Sequence, residues 1–283
     1  MLQFGLRAHD IGKLPAEELA EKISAYQPAS IQLAFGKALS DAPEKLGALS
    51  PGYARRVRET FCSRGIAISV LGCYINPVHP DEEARDQALL RFEEHLRYAR
   101  DFGCPIVGTE TGSCNADCSF HPDTETDKTL DLLCRSLERL LKTAEKYASI
   151  VGIEAVAGQH TVSSIERMEK VLRRLDSPNL AVIYDPVNLI PVAGLSERQS
   201  DFFSRAFAAF GPKIAAVHVK DFRMSKGIKD GSLPAGKGDL DYRSLFHLLQ
   251  VEKPCIDVLL ENGNPTTLKE SLDFVRRVAE QTV

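Results

Sequence analysis

The chain has no surplus of basic charge. Lys and Arg number 35 against 39 Asp and Glu, a net charge of −4, which is no electrostatic footprint for nucleic acid, whose binders usually carry a basic face. No apolar run reaches the roughly 18 residues of a membrane span. The opening MLQFGLRAHDIGK lacks the basic start and long apolar centre of a signal peptide. Cysteine is sparse and odd in number, seven in 283 residues without framework spacing, which excludes a disulfide scaffold. No Pro/Ser linker or low-complexity stretch divides the chain. No GxGxxG turn follows the first apolar run, which argues against an open dinucleotide-binding sheet. These absences lead us to expect a reduced, cytoplasmic protein with neither a nucleic-acid nor a membrane partner.

What is present is one unit repeated. Short apolar or β-branched runs occur at Leu2–Leu6, Ser30–Leu33, Ile66–Leu71, Pro105–Gly108, Ile150–Ala155, Leu180–Tyr184, Ile214–Val219 and Cys255–Leu260. Their spacing is that of a strand plus a helix, and most are continuous apolar strings, as in strands covered on both faces. Amphipathic stretches lie between them. Asp127–Ser149 sets Leu130, Leu133, Leu137, Leu140, Leu141 and Ala144 on one stripe. Glu82–Phe102 does the same with Ala88, Phe92, His95, Leu96 and Ala99 and stops at Gly103. Leu268–Glu280 closes the chain, and Pro15 followed by EELAEKI reads as a helix start with Pro at its first position. The expected fold is α/β, a single (β/α)8 TIM barrel spanning residues 1–283, a little longer than the roughly 250 residues typical of that barrel.

In such a barrel the chemistry sits at the C-terminal ends of the strands. Strand five, IVGIEAV, carries Glu154; strand six, LAVIYD, ends in Asp185; strand seven, IAAVHVKD, carries His218; strand eight, CIDVLLEN, ends in Glu261. One such group alone reads as a helix cap or a satisfied core residue. Four inside apolar runs are costly to bury unless they share a cation. Three carboxylates and one imidazole favour Mn2+, Mg2+ or Co2+ over a thiolate-type zinc site, with Zn2+ still compatible. Four protein ligands leave two positions of an octahedral ion for adjacent substrate oxygens, suiting the ion to stabilise an enediolate.

The order Glu, Asp, His, Glu on strands five to eight, with HVKD at strand seven, resembles the xylose-isomerase-like TIM-barrel superfamily. It is similar in particular to the sugar phosphate isomerase/epimerase group that includes ketose 3-epimerases, inosose dehydratase and hydroxypyruvate isomerase. The segment Gly236–Tyr242 resembles that group's glycine loop. The resemblance implies a small-molecule carbohydrate substrate, Glu154 and Glu261 as the acid/base pair, and a homodimer or homotetramer. Strands five and eight lie three places apart on an eight-strand ring, so their carboxylates can serve opposite faces of a substrate. The chain departs from the pattern at two places. Asn188 stands three residues after Asp185, where the group often has His. Met224 stands six after His218, where ketose epimerases can offer Arg, and Arg223 is adjacent.

Further candidates line the expected mouth. Lys220 reads equally as a substrate contact or a salt-bridge partner. Lys237, between two glycines, reads as a phosphate contact or a solvated loop residue. Glu110 closes strand four as a polar wall or a cap, and His9, Gln32 and Tyr74 can line the same opening. Cys114 and Cys118 with His121 would need a fourth ligand to hold zinc. His160, in GQHTVSS, precedes a helix whose expected cap is Thr161 or Ser163; His79 reads as turn chemistry, and His95 and His247 fall in helices without a role. Dehydration of a related polyol or keto-acid uses the same enediolate. Phosphodiester hydrolysis, as in endonuclease-IV-like barrels, would need several extra histidines, and a non-catalytic sugar-binding barrel would fit a missing ligand.

Overall fold

Alternation along short strands decides which side chains enter a barrel. The computed structural model describes residues 1–43 and 45–282. In chain order the first seven strands are β1 (Gln3–Arg7), β2 (Ser30–Leu33), β3 (Ala67–Gly72), β4 (Ile106–Glu110), β5 (Ile150–Glu154), β6 (Leu180–Tyr184) and β7 (Ile214–Val219). An antiparallel hairpin follows, β8 (Asp221–Ser225) and β9 (Ile228–Leu233), and β10 (Asp257–Leu260) completes the ring. The parallel barrel closes in the order β1-β10-β7-β6-β5-β4-β3-β2. All eight expected strands are therefore present, three with the expected ends and the rest displaced by at most two residues. The hairpin was not anticipated, because its residues form no apolar run.

Two layers follow from the alternation. Val70, Ile183, Ala216 and Leu259 pack with Ile106 as the filling of the barrel. Gly108 and Gly152 make room for Ile183: a Cβ at these positions would stand 2.5 Å and 3.1 Å from its side chain. Two residues further along the same strands come Glu110, Glu154, Asp185, His218 and Glu261. The same inward alternation that packs the apolar layer thus delivers an ionisable layer above it.

The helices are α1 (Ala16–Ser24), α2 (Phe35–Ala38), α3 (Pro51–Cys62), α4 (Glu82–Tyr98), α5 (Asp127–Tyr147), α6 (Ile165–Leu175), α7 (Pro186–Leu189), α8 (Gln199–Phe210), α9 (Tyr242–Glu252) and α10 (Leu268–Glu280). The leucine stripe of α5 is buried as expected. Helix α4 ends four residues earlier than expected, and the chain then turns through Gly103 at φ 75°. Pro15 is the N-cap of α1, not its first residue, because its ψ of 148° is extended. The cap of α6 is Ser164, whose side chain accepts from the Arg167 N–H, and neither Thr161 nor Ser163. No helix among the described residues is long and apolar enough to cross a membrane.

Asp221 anchors the segment that returns from the hairpin. It is fully buried, and its carboxylate accepts from the N–H groups of Phe222, Gly236 and Leu240 at 2.9–3.0 Å. Gly238 is required at this loop, since a Cβ there would lie 2.1 Å from the Phe222 carbonyl oxygen. Asp221→Ala leaves the N–H groups of Phe222 and Leu240 without a partner, each costing roughly 1–3 kcal/mol when buried, and leaves Gly236 only the Tyr242 hydroxyl at 3.3 Å. Urea unfolding should show a loss of about 2–4 kcal/mol, with relaxation of part of the loop taking up the remainder. A loss below about 1 kcal/mol would show that the loop does not depend on this carboxylate.

Candidate metal centre

Glu154, Asp185, His218 and Glu261 meet at the C-terminal end of the barrel, all buried, with one ligand atom from each within 4.8 Å of the others. An octahedral ion with bonds near 2.1 Å sets its donors about 3–4.2 Å apart, so a small contraction brings this set to bonding distance. Asp185 and Glu154 each accept a hydrogen bond through one oxygen. Asp185 caps α7, its Oδ1 accepting from the Asn188 N–H at 2.9 Å while Pro186 occupies the first helical position. Glu154 Oε1 accepts from the Asn188 amide at 2.6 Å. Its Oε2 and Glu261 Oε1 both stand 3.1 Å from His218 Nδ1. That nitrogen lies on neither hydrogen-bond axis, and Asp185 Oδ2 is likewise buried without a hydrogen bond. Two buried polar atoms without a hydrogen bond, in a set of four donors within 4.8 Å of one another, fit a divalent cation.

The other ring nitrogen fixes which atom faces the centre. His218 Nε2 donates to Gln32 Oε1 at 2.6 Å, and the Gln32 amide donates to the Tyr74 hydroxyl at 2.5 Å. An acceptor on Nε2 holds Nδ1 toward the carboxylates and keeps its lone pair available once its proton leaves. Gln32 is thus part of the site, in a role that its position on β2 alone does not reveal.

Without an ion, protein cations balance the carboxylates. Lys220 Nζ stands 3.0 Å from both Asp185 Oδ2 and Glu261 Oε2, and Arg7 Nη1 stands 3.1 Å from Glu261 Oε1. Burial disfavours the His218 imidazolium, but Glu154 and Glu261 outweigh it and push the pKa up to about 9. Burial would raise Glu261, yet Lys220, His218 and Arg7 hold it below the usual carboxylate range. Burial raises Asp185, opposed by Lys220. Burial, then repulsion from Glu154 and Glu261, pushes Glu110 up to about 7. Glu110 and Glu154 are direct partners across β4 and β5.

The other expected site residues divide into two groups. Lys220, Asn188, Glu110 and His9 border the centre. Lys220 is a salt-bridge partner there, and Asn188 spends its amide on Glu154. Burial, Arg7 and Lys37 push His9 down to about 3, so it is neutral. Lys237 and Arg223 are drawn elsewhere: Lys237 pairs with Glu270 of α10 at 2.5 Å, and Arg223 donates to the Lys237 carbonyl. The Cys114 thiol contacts Thr129, and His121 caps a 3-10 turn; among the described residues the four strand-end groups form the one cluster of metal-ligand type. Arg7 escaped sequence reading because the apolar run of β1 stops at Leu6, one residue short of the strand's end.

Two measurements check this geometry. Gln32→Leu removes the acceptor that orients His218, so metal affinity should fall about 10- to 100-fold with the fold retained, as read by calorimetry. Unchanged affinity would remove Gln32 from the site. In the metal-free chain the raised His218 pKa stabilises the fold fully below 6.5, and that contribution fades as pH rises to about 9. Melting temperature should therefore drop across that interval in chelator. Saturating Mn2+, which replaces the Nδ1 proton, should abolish the drop and release about one proton per ion at neutral pH.

Comparison with known proteins extends the geometry. A 3-keto-D-glucoside 4-epimerase from E. coli is 16% identical with a TM-score of 0.73, over 98% of this chain and 100% of its own. A xylose isomerase-like TIM barrel protein from Mycobacterium smegmatis, solved in complex with magnesium, is 15% identical with a TM-score of 0.74, over 100% and 98%. A probable endonuclease 4 from Campylobacter concisus (strain 13826) is 20% identical over 215 residues, covering 73% of this chain and 74% of that protein. At these identities the two structures establish the shared fold. The profile described as Xylose isomerase-like TIM barrel matches residues 21–278. That match takes in seven of the eight barrel strands and all four candidate ligands, and it makes this chain a member of the xylose isomerase-like TIM barrel family.

Proposed function

We propose that the protein is a metal-dependent isomerase or epimerase of a small sugar, keto-sugar or cyclitol derivative. The observation that carries this reading is the placement of His218 Nδ1 between Glu154 and Glu261, with Asp185 completing a buried set of four donors. Mn2+ is the ion this set suits first, with Mg2+, Co2+ or Zn2+ also compatible. A divalent ion held there supplies electrostatic stabilisation for the negative charge that develops on two adjacent substrate oxygens.

The chain's own residues move the protons. One glutamate takes the proton as the C–H bond breaks, and its electron pair becomes the enediolate double bond. The other glutamate returns a proton to the opposite face. No electron is gained or lost. Glu154 and Glu261 suit these roles because β5 and β10 are three places apart in the ring. Their surroundings differ: Asn188 and His218 contact Glu154, whereas Lys220, Arg7 and His218 hold Glu261 as an anion.

Glu110 favours a second reading within the same chemistry. A carboxyl group with a pKa near 7 at the mouth can protonate a departing β-hydroxyl, which would make the enzyme a dehydratase. Phosphodiester hydrolysis has less support. The strand-two and strand-six positions that would carry extra histidines hold Gln32 and Asn188, both engaged in supporting the single cluster.

Turnover of a sugar panel in deuterated water should place deuterium at the reacting carbon. At saturating metal, Glu154→Gln and Glu261→Gln should each cut turnover about 10²- to 10⁴-fold. One of the two should keep exchange of the substrate proton without forming the inverted product. Both variants remaining active with metal bound would overturn the two-glutamate mechanism. Release of water with a keto product would select the dehydratase.

A further inference from the structure

A cavity of about 380 Å³ opens beside the centre, between the loops after β2 and β3 and the middle of α4. Its size falls within the range of small-molecule sites. Its inner end is Tyr74, the residue whose hydroxyl accepts from Gln32. The short helix α2 carries Lys37, whose ammonium stands 4.0 Å above the Tyr74 ring. The charge of Lys37 is felt by both His9 and Glu110, so it reaches the barrel mouth. Lys45 and Arg91 of α4 line the same cavity.

Lys37, Lys45 and Arg91 come from three different segments, and none has an ion-pair partner among the described residues. The one carboxylate of the described lining, Glu94, is occupied by the N–H groups of Gly47 and Leu49. His95 is stacked on Phe35 and bonded to the Arg91 carbonyl, and burial keeps it neutral. The cavity is therefore cationic on a chain whose net charge is −4. Lys237, the loop lysine that the sequence offers for a phosphate, is already neutralised by Glu270.

We propose that this cavity receives the phosphate monoester end of the substrate while its sugar oxygens lie at the metal centre. This rests on the isomerase reading above. Three cations, from α2, the loop after it and α4, match the three terminal oxygens and double charge of a phosphate better than a planar, singly charged carboxylate. Lys37, over the Tyr74 ring, sets the side of the cavity nearest the reacting end.

The test is calorimetric titration of the full chain with inorganic phosphate, with and without Mg2+. It reads binding without turnover, so its failure is distinct from failure of the isomerase reading. Phosphate should bind in both conditions. The double variant Lys37→Met/Arg91→Met should bind at least about tenfold more weakly, whereas Lys237→Met should bind as the parent does. Three results would overturn the assignment: binding only with Mg2+, which places phosphate at the metal centre; equal weakening by Lys237→Met; or acetate binding as tightly as phosphate, which makes the cavity a general anion site. No detectable phosphate binding would also overturn it.

Discussion

Three carboxylates buried within one ion's reach repel each other by roughly 3 kcal/mol per pair at an effective dielectric near 20, and the rest of the barrel mouth is arranged around that charge. Arg7 from β1, half-buried, and Lys220 from the end of β7, buried, are set against it, and the pKa of His218 rises so that it contributes a further cation. A divalent ion held by the four donors would be an alternative to the protonated imidazole in balancing that charge. Metal binding, proton release and the pH dependence of stability are therefore one linked equilibrium.

Support for that arrangement comes from outside the cluster. Asn188 belongs to a four-residue helix, yet its backbone and side chain restrain Asp185 and Glu154 together. Gln32 acts across the barrel on a histidine 186 residues away. Asp221, one residue after Lys220, ties down the return loop from the hairpin and so fixes the end of the segment that carries Lys220. The apolar layer below is equally constrained, because Ile183 fills space that Gly108 and Gly152 leave open. Together these contacts hold the four donors from below, from the side and from the loops above.

Much of this was legible in the order of residues. Eight apolar runs, each followed by a helical stripe, specify the barrel. The polar residue that closes runs five to eight specifies the candidate ligands, because inward alternation carries straight through Gly152 to Glu154 and Ile183 to Asp185. What escaped depends on contacts between distant segments. Arg7 lies beyond an apolar run that already looked complete. Lys237 looks available until α10 supplies Glu270, and Asn188 looks free until its amide meets Glu154. Gln32 and Lys37 carry no local signal, since their meaning lies in His218 and Tyr74. The hairpin from Asp221 to Leu233 has an exposed, polar second strand that no hydrophobic pattern marks.

The central claim is that the four strand-end groups form one metal centre with His218 binding through Nδ1. Its most direct test is anomalous diffraction from crystals of the chain grown with Mn2+, recorded near the manganese edge. The account predicts one strong peak about 2.0–2.3 Å from an oxygen of Glu154, Asp185 and Glu261 and from His218 Nδ1, with Nε2 still on Gln32 and the Lys220 ammonium displaced from at least one carboxylate. A crystal saturated with Mn2+ that shows no peak among these four, or a peak bound to His218 through Nε2, would contradict it.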